Sequence, residues 1–202
     1  MTNTNHNNQE RKIRIQGKSY TSMYGVVFQD SHLFEDKDYF EDDELPRYRL
    51  YKLKIWTGNK NNRLTIVGMQ TFYKNIFNLE EKSKGEMKDH ESAFSDCQEI
   101  EIAQNDFICN LNFNVGEDSI CYLKIKTFKG KEYEFGSSNI GEAKKTQLSE
   151  SRDHVLLYFS GRYRKELECI AAGFIDLKKY LSNSIGYFYL RKKMKTNENF
   201  TR

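Results

Sequence analysis

Any chemistry this chain performs has to be built from four cysteines, four histidines and one dense run of acids. Cys97, Cys109, Cys121 and Cys169 form no Cys-x-x-Cys pair, and three of them sit in alternating apolar runs, where a thiol behaves as a small buried hydrophobe. His6, His32, His90 and His154 share no helical or Cys-x-x-His spacing with one another or with cysteine, so no zinc site is expected. Glu35, Asp36, Asp38, Glu41, Asp42, Asp43 and Glu44 are crowded around the single Lys37. That run lacks the alternate oxygen ligands and central glycine of a calcium loop, and it reads as a solvated insert over residues 35–47. The 12 glycines are isolated, which excludes a phosphate-cradling loop or a dinucleotide fingerprint. No nucleophile has a base beside it in a recognisable spacing. The sequence predicts a binding protein with no catalytic residue, no metal and no cofactor.

Two further groups are candidates for contacts rather than chemistry. From Lys178 onward the chain carries seven basic residues against the one acid Glu198. Within that segment Gly186-Tyr187-Phe188-Tyr189-Leu190 is too apolar for a free tail. Tyr187, Phe188, Tyr189, Arg191, Lys192 and Lys193 are therefore read as a candidate partner-binding surface.

The elements that must position these residues follow from periodicity. Phe107, Cys109, Leu111, Phe113 and Val115 alternate with Ile108, Asn110, Asn112 and Asn114, the pattern of a strand with one buried face. Cys121, Leu123, Ile125 and Thr127 repeat it after the turn Gly116-Glu117-Asp118-Ser119, and a short strand bounded by Gly130 and Gly136 completes a meander. Tyr51, Leu53 and Ile55 oppose Lys52, Lys54 and Trp56, with a second hairpin turning through Gly58 to Asn62. Further strands are expected near Val26–Gln29, Gln98–Ala103, Val155–Ser160 and Leu167–Ile175. Many short strands with little helix predict an all-β sandwich, barrel or prism.

Length and charge bound the rest. A chain of 202 residues buries roughly 70% of its unfolded surface and needs no staple. The net charge of +3 is too small for a bulk polycation, so no nucleic acid partner is expected. No run reaches the roughly 20 apolar residues of a membrane span. The N-terminal residues MTNTNHNNQERKIRIQ lack the apolar core of a secretory signal, so a soluble, cytoplasmic protein is expected.

Taken in order, several segments resemble the jacalin-related lectins. They are Gly25-Val26-Val27-Phe28-Gln29-Asp30, LYKLKIWTGNKNNRLTIVGMQTFY, Glu99-Ile100-Glu101-Ile102, Val115-Gly116, Leu123 through Phe135-Gly136, and Val155 through Ala171. The resemblance covers roughly residues 20–177. It implies a β-prism I of three Greek-key antiparallel sheets, preceded by an N-terminal arm over 1–19 and followed by a basic C-terminal extension over 178–202. It also implies a sugar held by an early glycine loop, a middle loop and a final Gly-x-x-x-Asp loop. Carried over, these become Gly25; Glu117 and Asp118; and Tyr163, Arg164, Lys165, Glu166 and Glu168, with Tyr163 as a stacking platform. Arg164 stands where the family has Gly and Glu168 where it has Asp, which restricts the loop's φ values and moves the acceptor by about a methylene. The resemblance thus implies a non-catalytic carbohydrate-binding module with a degenerate sugar loop, whose partner is a glycan or glycoprotein. The alternative expectation is a structural subunit of a large cytosolic or ciliary (axonemal) assembly, with protein partners contacting its prism and arms.

Overall fold

The computed structural model describes residues 19–20, 24–25, 32–36, 40, 45–60, 63–84, 95–140, 142–145, 154–164, 166–178 and 180. Its strands are β1 (Ser19–Tyr20), β2 (Tyr24–Gly25), β3 (His32–Glu35), β4 (Tyr48–Lys60), β5 (Arg63–Asn75), β6 (Glu81–Lys84) and β7 (Ser95–Glu101). They continue as β8 (Ile108–Val115), β9 (Ile120–Thr127), β10 (Glu132–Gly136), β11 (Glu142–Lys145), β12 (His154–Tyr163) and β13 (Leu167–Asp176). A 3-10 turn, Leu45–Arg47, leads into β4. The expected strand near Val26–Gln29, the N-terminal arm before Ser19 and the aromatic-basic segment around Tyr187 lie outside the described residues.

Three antiparallel sheets result, in the orders β6-β5-β4-β7, β10-β9-β8-β11 and β1-β13-β12-β3, with β2 also on β13. In the first two, a strand returns beside the first member of a three-strand meander, which is the Greek-key order. The third repeats the order by borrowing its outer strands from the beginning of the chain. Ser19 pairs with Phe174 and Gly25 with Cys169 on one side, and His32 with Tyr163 on the other. The fold is a β-prism I, with one shared core between the three sheets. Leu53, Ile55 and Tyr73 enter it from the first sheet, Leu111, Phe113 and Leu123 from the second, and Phe159 and Phe174 from the third.

The strand alternation is modified at defined points. The β8–β9 ladder slips between Ile108 and Asn110, which turns Ile108 inward; assigned to the polar face by alternation, it is buried. The β4–β5 ladder runs through Gly58, Asn59 and Lys60, so the expected Gly58–Asn62 turn is tighter than its polar composition implies. The outer faces of the first two sheets carry charge ladders. Lys52 and Lys54 reach Glu99 at 3.2 and 3.3 Å, and Lys124 reaches Glu132 and Glu134 at 2.7 and 2.8 Å. Along β12 and β13, by contrast, Val155–Gly161 and Leu167–Ile175 are buried on both faces.

The acidic insert is the main departure from expectation. Read as a solvated loop, it instead sends Asp36, Phe40 and Leu45 into the interior. Phe40 packs against Tyr48 and, edge-on, against Tyr73, with ring centroids 4.8 and 5.2 Å apart. The Asp36 carboxylate accepts hydrogen bonds from Tyr73 Oη at 2.5 Å, Thr71 Oγ1 at 2.9 Å and the Phe159 amide at 3.4 Å. Burial, then the Asp36 charge and hydrogen bond, hold the Tyr73 phenol well above its ordinary range. Composition predicts solvation for the run as a whole, but a buried carboxylate is tolerated where several donors converge on it. Tyr180, inside the expected extension, is also core, edge-on to Phe107 at 5.6 Å.

Two predictions follow from these contacts. Tyr73→Phe should lower the unfolding free energy by about 2 kcal/mol and Asp36→Ala by about 3 kcal/mol, since the latter strands two buried hydroxyls. Urea denaturation measures both, and an unchanged midpoint in Asp36→Ala would remove the carboxylate from this role. The carboxyls of Glu81, Glu99, Glu132 and Glu134 are held below the ordinary 4.5, chiefly by hydrogen bonds from Lys74, Lys52 and Lys124. Their contribution is therefore complete above 4.5 and is lost as pH falls through the lower folded values. The denaturation midpoint should hold on the neutral side and drop below that point, less steeply in high salt. A midpoint flat across the acid range would show the ladders to be neutral.

Candidate functional site

The registers of the three central hairpins contain a repeat that locates the site. Each slips once after Leu50, Ile108 or Leu156, and again, at the same spacing, after Trp56, Asn114 or Arg162. The second slip leaves one residue of the returning strand opposite no partner: Val67, Cys121 and Glu168, respectively. Two positions beyond Trp56, Asn114 and Arg162 stand Gly58, Gly116 and Arg164. At the two glycines a Cβ would lie 2.8 Å from Val67 Cγ1 and 2.5 Å from Cys121 Sγ, so the bulged residue fills the space a side chain needs. The third hairpin keeps the bulge but replaces both members with charged residues.

Their geometry is an ion pair. Arg164 Nε donates to Glu168 Oε1, with the Glu168 side chain 3% exposed and that of Arg164 35% exposed. The Arg164 amide donates to the Glu166 carbonyl at 3.3 Å, closing the turn. Glu168, expected as the sugar acceptor, is therefore buried beneath the guanidinium, and Glu166 is half-buried beside it. The side chain of Lys165 lies outside the described residues.

Three other elements converge on this hairpin. β2 puts Gly25 opposite Cys169, next to the bulged Glu168. β3 puts His32 opposite Tyr163, with ring centroids 5.6 Å apart, and Phe34 stands 6.3 Å from the same tyrosine ring. Gly161 makes room for Phe34, because a Cβ there would meet the Phe34 ring at 2.8 Å and the Cys169 carbonyl at 2.3 Å. The site thus unites Gly25, Tyr163, Arg164, Glu166 and Glu168. Glu117 and Asp118 stand on a different hairpin, the β8–β9 turn of the second sheet, where the Gly116 amide donates to the Ser119 carbonyl at 2.8 Å.

Sequence reasoning missed His32 and Phe34. The available signal was the apolar pair Leu33-Phe34 just ahead of the acids, together with a glycine, Gly161, inside an otherwise bulky strand. Burial pushes the Cys169 thiol up to about 12, against weaker opposing effects from the Arg162 backbone and charge. Among the described residues, no group of three His, Cys, Asp or Glu side chains could hold a metal ion.

A family model described as Jacalin-like lectin domain matches residues 38–173. No curated protein matches the sequence. Among solved structures, a mannose-specific jacalin-related lectin from Morus nigra in complex with mannose is similar at TM-score 0.61 and 14% identity, over 82% of this chain and 99% of that one. The Calystegia sepium agglutinin is similar at 0.59 and 9% identity, over 81% and 99%. AcmJRL, a mannose-binding jacalin-related lectin from Ananas comosus, is similar at 0.56 and 12% identity, over 79% and 99%.

The Arg164–Glu168 pair gives a direct expectation. Arg164→Ala should lower stability by about 2 kcal/mol, because it leaves a buried carboxylate without its cation, and Glu168→Gln in the same chain should restore most of that loss. Chemical denaturation of the three proteins tests this. A single-variant loss no larger than that of an exposed pair, about 0.5 kcal/mol, would make the contact a surface one.

Proposed function

The chain belongs to the jacalin-like lectin domain family, and from that premise we propose that it is a non-catalytic carbohydrate-binding module whose glycan site is the β12–β13 hairpin. The observation that carries the reading is the convergence of Gly25, Tyr163 and the 164–166 turn at the bulged Glu168. Tyr163 supplies an apolar ring face and the Arg164 side chain supplies N–H donors, a combination suited to a sugar's alternating C–H faces and hydroxyls. Arg164, Lys165 and Glu166 form the rim in this reading, over the buried Glu168, with Glu117 and Asp118 as the middle loop. The similar structures from Morus nigra and Ananas comosus are of mannose-specific and mannose-binding lectins, so mannose-containing glycans are the first ligands to test.

A second reading, a scaffold subunit of a larger assembly, draws support from one turn. Leu79 lies in left-handed backbone at φ 63 and is 61% exposed, an apolar side chain held outward at a conformational cost. The candidate contact residues Tyr187, Phe188, Tyr189, Arg191, Lys192 and Lys193 fall outside the described residues. Among the described residues, no helix is long and apolar enough to cross a membrane.

A glycan array of the folded protein separates the two readings. Carbohydrate binding predicts reproducible signals that weaken about tenfold in Tyr163→Ala, the scale of one lost aromatic contact, with an unchanged circular dichroism spectrum. A blank array from folded protein would leave the scaffold reading standing alone.

A further inference from the structure

We infer that the hairpin site selects glycans bearing their own negative charge, a carboxylate or a sulfate ester, which Arg164 reads; this rests on the carbohydrate-binding proposal above. The inference starts from what the site shows to solvent. A neutral hexose held through its hydroxyl protons needs an exposed acceptor, and the carboxylate at this position is 3% exposed. The more exposed member of the pair is the cation, half-buried at 35%.

The repeat between hairpins shows that this is a change of chemistry and not of size alone. The equivalent pairs are Gly58 with Val67 and Gly116 with Cys121, with no ionised group in either. Glutamate at the bulge without the arginine would bury a carboxylate that lacks this cation. Together, the glutamate orients the arginine from below. Nε points at Glu168, so the guanidinium is fixed at its base, while the side chain as a whole stays partly in water.

A guanidinium oriented in this way matches the planar oxygen pairs of a carboxylate or sulfate, whereas a single sugar hydroxyl uses only a fraction of its donors. The neighbouring charges are mixed. Arg162 is half-buried on the same strand, and His32 is exposed beside Tyr163. Glu166 is the opposing charge, half-buried in the turn, and Glu168 is already paired with Arg164. An acidic sugar would place its ring against Tyr163 and its anionic group toward Arg164.

The test uses the full chain and glycans matched in pairs: a sialylated N-glycan against its asialo form, a uronic acid oligosaccharide against its neutral counterpart, and a sulfated galactoside against the unsulfated one. Calorimetry is run with the wild type and with Arg164→Gln/Glu168→Gln, which exchanges the ion pair for a neutral amide pair and avoids stranding the buried carboxylate. The expected result is a preference of about tenfold or more for the charged member in at least one pair, reduced by salt and abolished in the double variant. The pair that shows it separates carboxylate from sulfate. Equal affinity for charged and neutral members, or a preference that survives in the double variant, overturns the inference and leaves the lectin reading intact. No binding of any glycan by folded protein overturns both.

Discussion

Removing a carboxylate from water costs several kcal/mol unless donors replace its hydration, and the Asp36 carboxylate is fully buried. Tyr73, Thr71 and the Phe159 amide replace that hydration, and they come from two different sheets. Asp36 directly follows β3, so the same hydrogen bonds that hold it also fix the end of the strand carrying His32 and Phe34 to Tyr163. The edge of the candidate site is therefore anchored by an interaction deep in the core. Phe40 completes the anchor by packing against Tyr48 and Tyr73, and Leu45 is buried in the same core.

The three sheets are variations on one register. Every central hairpin slips at the same two places, which gives each strand pair the extra twist needed to wrap a shared core. Where the bulged residue is Val67 or Cys121, glycine opposite it gives a plain packed turn. Where it is Glu168, the turn becomes a charged surface next to an aromatic ring. One scaffold thus yields two turns with a small apolar pair and one with an ion pair, through exchange of a single pair of residues.

How much of this was legible in the sequence depended on the range of the interaction. Alternation found β4, β5, β8, β9, β12 and β13, because each buries one or both faces and the pattern is local. The sequence also ordered these elements as a jacalin-like prism, and the segment carried over by resemblance as the final sugar loop forms the β12–β13 turn. The short strands β1, β2 and β3 carry too few residues for periodicity and are defined only by partners far along the chain. Asp36 was hidden for a related reason: amid seven acids nothing local distinguishes the one that meets Tyr73. Likewise the burial of Glu168 follows from a ladder slip, and a slip leaves no mark in composition.

The third sheet pairs residues from near both ends of the described chain, Ser19 with Phe174 and Tyr20 with Gly173. The other two sheets close within segments of continuous chain, from β4 to β7 and from β8 to β11. Closing a loop of about 150 residues carries a larger entropic cost than closing a hairpin, and the closing contacts are rewarded only once the other sheets offer a surface. During synthesis on a ribosome, the first strands therefore emerge long before their partners and must wait, unpaired, for almost the whole domain to follow. Assembly of the candidate site is thereby coupled to completion: the hairpin acquires Gly25 and His32 as neighbours only in a finished molecule, and pulsed hydrogen exchange during refolding should find Tyr20 and Gly25 among the last amides protected.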